Sequence, residues 1–437
     1  MEIKNLYELY KTCSGISTDS RKIAKGCMYL ALKGESFDGN SFAIESLSKG
    51  AKFAVVDDHS INDQEGIIKV KNGLQTLQSL ASYHRHQFNI PFIGITGSNG
   101  KTTTKELMHA VLNQKYNVLA TSGNFNNHIG VPLTLFRLNN EHKLAIIEMG
   151  ASKQGDIQEL CEIADPNYAL ITNIGKAHLE TMGGIEGVLK TKTELFDHIR
   201  IHGGELLVHS CDKLLLENTS NDTRFLYGAL PTDNVQGRVV RNGNLISVQW
   251  KRNEFAGTLD DAPVVKTNLT GTYNLPNIMA AVATGIVFGL TDEQIAAGIS
   301  GYEASNNRSE VRKKGTNTFI LDAYNANPSS MDVAINNLVG SDGESHSVIL
   351  GEMLEVGSTS NEEHHSICQR LQSLNLKTVC LVGSEFTKFN EEFDFNFFNN
   401  VDELNDWLQT NPFENETVLI KGSRGNKLEK AAERLLS

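Results

Sequence analysis

Cysteine and proline are both scarce in this chain, six and eight among 437 residues. The cysteines (Cys13, Cys27, Cys161, Cys211, Cys368 and Cys380) are scattered, with no C-x-x-C pair and no histidine cluster at zinc spacing. That pattern argues against a disulfide scaffold or a zinc module and fits the reduced, mostly buried thiols of a cytoplasmic protein. Long apolar runs are missing too. The opening MEIKNLYELYK lacks the apolar core of a signal peptide. The longest mostly apolar stretch, residues 280–290, is far too short to cross a bilayer, so no membrane span is expected. Basic residues are in deficit, 40 against 52 acidic, and the net charge of −12 argues against a nucleic-acid partner. An anionic substrate remains compatible with it, because a local loop can still be positive. Repeats and low-complexity segments are absent. What is left is the composition of a soluble globular enzyme, 40% hydrophobic and 21% charged, with length for roughly two to four domains.

Residues 94–105 read GITGSNGKTTTK, entered by an apolar run and left by the helix-forming Lys105-Glu106-Leu107-Met108. Glycines let backbone N–H groups turn toward an anion, the following helix points its positive end at it, and a lysine reaches the outer phosphates. The common nucleotide-binding pattern places four residues between its first glycine and the Gly-Lys pair. Here Gly97-Ser98-Asn99-Gly100-Lys101-Thr102-Thr103 leaves two, so the loop belongs to a variant class. Apolar segments alternate with helical ones around it: strands are expected near residues 28–32, 53–56, 144–147, 168–172, 205–208, 318–321, 347–350, 378–382 and 417–420. The alternation predicts an α/β protein with a parallel sheet covered by helices. Residues after 235 read as β-rich, followed by a long helix over 274–288 with Pro276 in its first turn.

Several polar residues stand where such a fold gathers ligands. Glu148 ends a buried strand, placed either to hold Mg²⁺ beside the phosphate loop or as a helix N-terminal charge. His178 follows the strand over 168–172 and lies in a loop at the same edge. If residues 187–200 form a helix turning about 100° per residue, then Val188, Leu189, Leu195, Phe196 and Ile199 share an arc about 120° wide. Lys192 falls near the middle of that arc, and Lys190 points away. Periodicity by itself favours a snorkelling Lys192, but a lysine whose pKa is lowered by burial is also a nucleophile toward CO₂. Asn274 and Asn277 either cap the long helix or read an adenine edge. The run Asp322-Ala323-Tyr324-Asn325-Ala326-Asn327-Pro328 after a buried strand suggests a ligand loop, with a set of Asx turns as the alternative.

Together these segments resemble the Mur ligase family over nearly the whole chain, most closely its D-alanyl-D-alanine-adding type. GSNGKTTTKE resembles the family's ATP loop, GNFNNHIGVPLTL (123–135, with Asn126 and Asn127) its substrate segment, and EMGAS (148–152) and AHLE (177–180) its metal-binding strand ends. LKTKTELF (189–196) resembles the segment with the family's carbamylated lysine, here Lys192. GTYNLPNIMAA resembles the adenine segment, and Arg308 the nucleotide-contacting arginine; Asp322 joins the ATP site. STDSR (Ser17, Asp19, Ser20, Arg21) and GESFDGNSF (Asp38, Gly39) resemble the uridine-nucleotide site. DAYNANPSS, GEMLEVG with His364, and KGSRGNKLEK match the D-alanyl-D-alanine-adding type, and the Asp-Asn-Pro-Arg box of the diamino-acid-adding relatives does not occur. Ala323 stands where the family often has a small polar residue.

The resemblance implies three domains: an N-terminal UDP-substrate-binding domain (1–88), a central ATP-binding domain with a P-loop parallel sheet (89–310), and a C-terminal Rossmann-like αβ ligase domain (311–437). It implies a cytoplasmic monomer that uses ATP and Mg²⁺ to join UDP-N-acetylmuramoyl-tripeptide to D-alanyl-D-alanine through an acyl phosphate. Lys101, Glu148, His178 and carbamylated Lys192 would be the catalytic set, with Thr102, Glu148, His178 and Lys192 around metal and Tyr324, Asn325 and Asn327 at the acceptor. A diamino-acid-adding or folylpolyglutamate-synthase-like ligase is the alternative within this architecture. A nucleotide-driven mechanical ATPase is the alternative outside it.

Overall fold

The computed structural model describes residues 1–175, 179–241, 243–304, 308–354 and 356–437. Among these residues the strands form three sheets. The first is a four-stranded parallel sheet in the order Ile16–Ser17, Met28–Leu30, Phe53–Val56, Ile67–Lys69. The helices Ile3–Tyr10 and Gly73–Arg85 pack against it through Leu6, Tyr7, Leu77 and Leu80. The expected strand over 28–32 ends at Leu30.

The second sheet has nine strands and carries the phosphate loop. The strand that leads into it, Phe92–Thr96, lies between Leu144–Glu148 and Tyr168–Ile171, parallel to both. All ten residues of Phe92–Thr96 and Leu144–Glu148 are buried, as expected of strands covered on both faces. One face is covered by the helices Lys101–Leu112, Leu275–Val287 and Asp292–Gly301. The other is covered by Asp156–Ala164 and Gly184–His202. The chain leaves Phe92–Thr96 for one side of the sheet and returns on the other, so the carboxyl end of this strand is a topological switch point, where open α/β sheets bind ligands. Beyond Arg224–Gly228 and Val235–Arg241 the sheet ends in two antiparallel strands, Ser247–Arg252 and Val265–Lys266, the β-rich stretch expected after residue 235.

The third sheet has six strands in the order Glu310–Lys314, Asn317–Asp322, Glu416–Lys421, Ser345–Gly351, Thr378–Val382, Asn396–Phe398. Only its edge hairpin is antiparallel. Its carboxyl ends, at Asp322 and Lys421, face the phosphate loop across a shared cleft. No helix among the described residues is long and apolar enough to cross a membrane. Cys27, Cys161, Cys368 and Cys380 are buried, whereas Cys211 is exposed on the cleft wall.

Candidate active site

The phosphate loop is built by close approach. Gly97 and Gly100 have φ of +143° and +78°, a region that disfavours any side chain. A Cβ on Gly97 would also collide with Thr172 Oγ1, and one on Gly100 would come within 2.6 Å of Asn277 Oδ1. The neighbouring strand's exit holds the loop from outside. Ser98 N donates to Asn173 O and Asn99 N to Asn173 Oδ1, each at 3.0 Å, while Thr172 Oγ1 donates to Asn99 O at 2.6 Å. With those two amides committed, the first turn of the helix Lys101–Leu112 is what the loop presents to an anion: its Thr102 and Thr103 amides have no carbonyl four residues back inside the helix. Lys101 Nζ folds over the loop, donating to Gly97 O (2.6 Å) and Ser98 O (3.0 Å).

Glu148 lies beside this turn, 1% exposed. Its Oε1 accepts from Thr102 Oγ1 at 3.2 Å and from Asn126 Nδ2 at 2.8 Å. Among the described residues its Oε2 is buried without a hydrogen-bond partner, and Lys105 Nζ stays 3.9 Å away while donating to Thr121 O. A buried carboxylate oxygen with an unused lone pair, next to a hydroxyl at a helix N-terminus, fits a hard divalent cation such as Mg²⁺. Thr102 and Glu148 are thus brought together as expected. Asn126, expected at the substrate, binds the same carboxylate, and Asn127 Oδ1 accepts from Gly130 N to start the helix Gly130–Leu135. His178 lies outside the described residues.

Lys192 is 2% exposed on the helix Gly184–His202, and Lys190 is exposed. Snorkelling, the reading periodicity favours, is not what the helix does: the side chain is buried, as are Val188, Leu195 and Phe196 on the same arc. Burial first, and the Lys101 charge second, push its pKa down to about 7.

From the third sheet, Asp322 Oδ2 pairs with Lys421 Nζ at 2.6 Å, and the same ammonium donates to Asn325 O. The Arg308 guanidinium covers the Tyr324 ring. Asn327 caps the helix Pro328–Val339 and donates to Asn99 Oδ1 in the phosphate loop at 2.8 Å. The cleft between the two sheets measures about 1030 Å³, and Lys101, Thr102, Glu148, Asn277, Tyr324 and Asn325 lie on its wall. Asn274 and Asn277 also face it, but their amides bond each other and Thr104.

The first-sheet candidates do not line this cleft. Asp19 and Arg21 form a two-point ion pair (2.8 and 2.9 Å), and the guanidinium holds the Asp19 carboxyl down at about 2. Asp38 accepts from Asn40, and Tyr29 donates to Gly39 O at the same end of the sheet; Ser17 and Ser20 flank the Asp19 turn. His364 serves structure: its Nε2 accepts from Met353 N, so Nδ1 carries the proton and donates to Ser360 O. Sequence reading leaves out Lys105, Asn173 and Lys421. Lys421 closes the buried strand Glu416–Lys421 as Glu148 closes its own, and that placement was the signal available for it.

Comparison with known proteins supplies the relationship. Residues 95–285 match the Mur ligase middle domain, residues 307–424 the Mur ligase glutamate ligase domain, and residues 12–85 the catalytic domain of the Mur ligase family. The UDP-N-acetylmuramoyl-tripeptide–D-alanyl-D-alanine ligase of Bacillus subtilis is 33% identical, covering 99% of this chain and 98% of its own. A crystal structure of MurF from Acinetobacter baumannii superposes with a TM-score of 0.88 at 30% identity, covering 99% of this chain and 98% of that one. MurF from Thermotoga maritima in complex with ADP gives 0.86 at 26% identity, covering 97% of each. Matches in all three regions and relatives similar from end to end show that this chain belongs to the Mur ligase family, and within it to the MurF type.

Proposed function

We propose that the protein ligates D-alanyl-D-alanine to UDP-N-acetylmuramoyl-tripeptide, with ATP converted to ADP and phosphate, in peptidoglycan precursor synthesis. One observation carries the reading: a single cleft joins a phosphate loop, a metal-ready carboxylate and a polar loop from a third sheet. The first-turn amides and Lys101 receive the β- and γ-phosphates, and Lys101 exchanges its bonds to Gly97 O and Ser98 O for phosphate oxygens. The tripeptide's terminal carboxylate attacks the γ-phosphorus, and ADP leaves. The acceptor amine then attacks the acyl phosphate, forming the amide as phosphate departs and the amine gives up its proton.

Thr102 and Glu148 would hold one Mg²⁺, and His178 with carbamylated Lys192 a second. When bound, magnesium neutralises charge gathering on the transferred phosphoryl group. Lys192 supports its part by burial and by a pKa near neutrality, which leaves much of the amine free to react with CO₂. Arg308, Asp322, Asn274 and Asn277 serve the nucleotide; Tyr324, Asn325 and Asn327 serve the acceptor. Ser17, Asp19, Ser20, Arg21, Asp38 and Gly39 serve the uridine moiety on the first sheet. The domain divisions of this reading lie near residue 88, between the helix Gly73–Arg85 and the strand Phe92–Thr96, and near residue 310, at the start of the strand Glu310–Lys314. A cytoplasmic monomer completes the reading, its location supported by nucleotide substrates found in the cytoplasm.

The test supplies ATP, Mg²⁺ and UDP-N-acetylmuramoyl-tripeptide and measures phosphate release. Release should require D-alanyl-D-alanine, with little from free D-alanine, because a site built for two residues leaves polar groups unpaired with one. Equal release from the UDP-dipeptide plus diaminopimelate would overturn the assignment.

A further inference from the structure

The helix Pro328–Val339 follows directly on the Tyr324-Asn325-Ala326-Asn327 loop and is hydrogen-bonded to the middle sheet's domain near each of its ends. At its start, Asn327 Oδ1 accepts from Ser330 N while Nδ2 donates to Asn99 Oδ1 in the phosphate loop, at 2.9 and 2.8 Å. Near its end, Asn337 Nδ2 donates to Thr270 Oγ1 at 3.0 Å, with both side chains buried. Ten residues at 1.5 Å each separate these points by about 15 Å.

Thr270 is one end of a buried relay. Its carbonyl accepts from Asn274 Nδ2 (2.8 Å), Asn274 Oδ1 accepts from Asn277 Nδ2 (2.9 Å), and Asn277 Oδ1 accepts from Thr104 Oγ1 (3.0 Å). A carbonyl can only accept, so Thr270 O fixes which way the Asn274 amide faces, and each later amide follows. The relay ends on Thr104, three residues beyond Lys101 on the same helix. Both fastenings of the Pro328–Val339 helix therefore lead to the phosphate-loop helix and its turn. Just past the helix, Asp342 Oδ2 also accepts from Asn244 N at 3.3 Å; contacts spread along the helix in this way fix the angle of the third sheet, and the Asn337–Thr270 bond is one whose two side chains are both buried.

We propose that Asn337, acting through Thr270, is a positioning residue for amide formation. With Asn327 it sets the angle of the acceptor loop to the phosphate loop, so that the acceptor amine rather than water meets the activated carboxyl. The proposal rests on the ligase reading above. Capture by the amine forms a C–N bond as the C–O bond to phosphate breaks and the amine loses a proton. Capture by water releases the same phosphate and regenerates the carboxylate. Asn337 is absent from the wall of the main cleft and lines a side cavity of about 490 Å³ with Thr272, Tyr273 and Met279.

The experiment measures phosphate and amide product in the same reaction for the wild type, Asn337→Ala, Thr270→Val and the double variant, with the Kd for ADP and the Tm of each. Amide formation should fall roughly 10-fold in each single variant, the loss expected when reacting groups are misplaced from a distance. Phosphate released per amide should rise above one, which a general loss of stability would not produce. The double variant should be no worse than the poorer single, because both remove one bond. Thr270→Val preserves shape and leaves Asn337 in place, so it gives the answer if Asn337→Ala folds poorly. One phosphate per amide in both single variants overturns the proposal. So does weakened ADP binding, which would make Asn337 a nucleotide contact. A wild type that makes no amide overturns the ligase reading itself.

Discussion

The Arg308 guanidinium lies 3.5 Å from the centre of the Tyr324 ring, so the arginine assigned to the nucleotide and the tyrosine assigned to the acceptor form one stacked pair. Arg424 approaches the same ring at 5.7 Å. A planar guanidinium held on an aromatic face is pre-ordered for its next contact. Removing the ring in Tyr324→Ala should raise the KM for ATP about 2- to 5-fold, the equivalent of ~0.5–1 kcal/mol for a cation–π contact. Tyr324→Phe keeps the ring and should match the wild type in this measurement. Equal effects from Phe and Ala would shift the role from the ring to the hydroxyl.

Lys101→Ala removes an ammonium seated on the phosphate-loop carbonyls. We expect kcat to fall roughly 10²-fold or more, because this charge matters most as the γ-phosphoryl group transfers. Thermal unfolding should be nearly unchanged, since the lysine is only partly buried. Turnover at the wild-type rate would remove the loop from the chemistry.

Lys192 and Lys190 offer a matched pair, one buried and one exposed on the same helix. Lys192→Ala should be nearly inactive and partly restored by acetate or formate, which can occupy the place of a carbamate. Lys190→Ala should be close to neutral. Stability supplies a second measurement, in CO₂-free buffer. Folding lowers the Lys192 pKa to about 7 from about 10.4 in the unfolded chain. Between those values the unfolded chain binds more protons, so this residue's contribution to stability should increase as pH rises through the window. Below about pH 7 it should be flat. Denaturant titrations from neutral to alkaline pH should show that rise in the wild type and lose it in Lys192→Met. The same slope in both proteins would mean that the lysine titrates normally.

Much of the site was legible because its signals are local. Apolar runs marked the strands Phe92–Thr96, Leu144–Glu148 and Tyr168–Ile171. Gly97, Gly100 and Lys101 marked the phosphate loop, and helical periodicity placed Lys192 on a buried arc. Those patterns involve neighbours two to four residues apart, where strand and helix geometry leaves its trace in sequence. Periodicity could not choose between a snorkelling and an enclosed Lys192, because that depends on what covers the helix.

The sequence by itself determined the element types, the phosphate loop and the polar residues that end each strand. Tertiary structure decided which of those residues meet. Strand order brought Glu148 to Thr102, 46 positions away, and let Asn126 share its carboxylate. Helix packing turned Asn277 onto Thr104 across 173 positions, and the seating of the third sheet carried Asn327 to Asn99 across 228. Lys105 and Lys421 lie within recognised segments, but only the packing buries them beside Glu148 and Asp322. Such pairings depend on how sheets and helices stack. Stacking is driven by apolar area, which is non-directional and names no polar partner in advance.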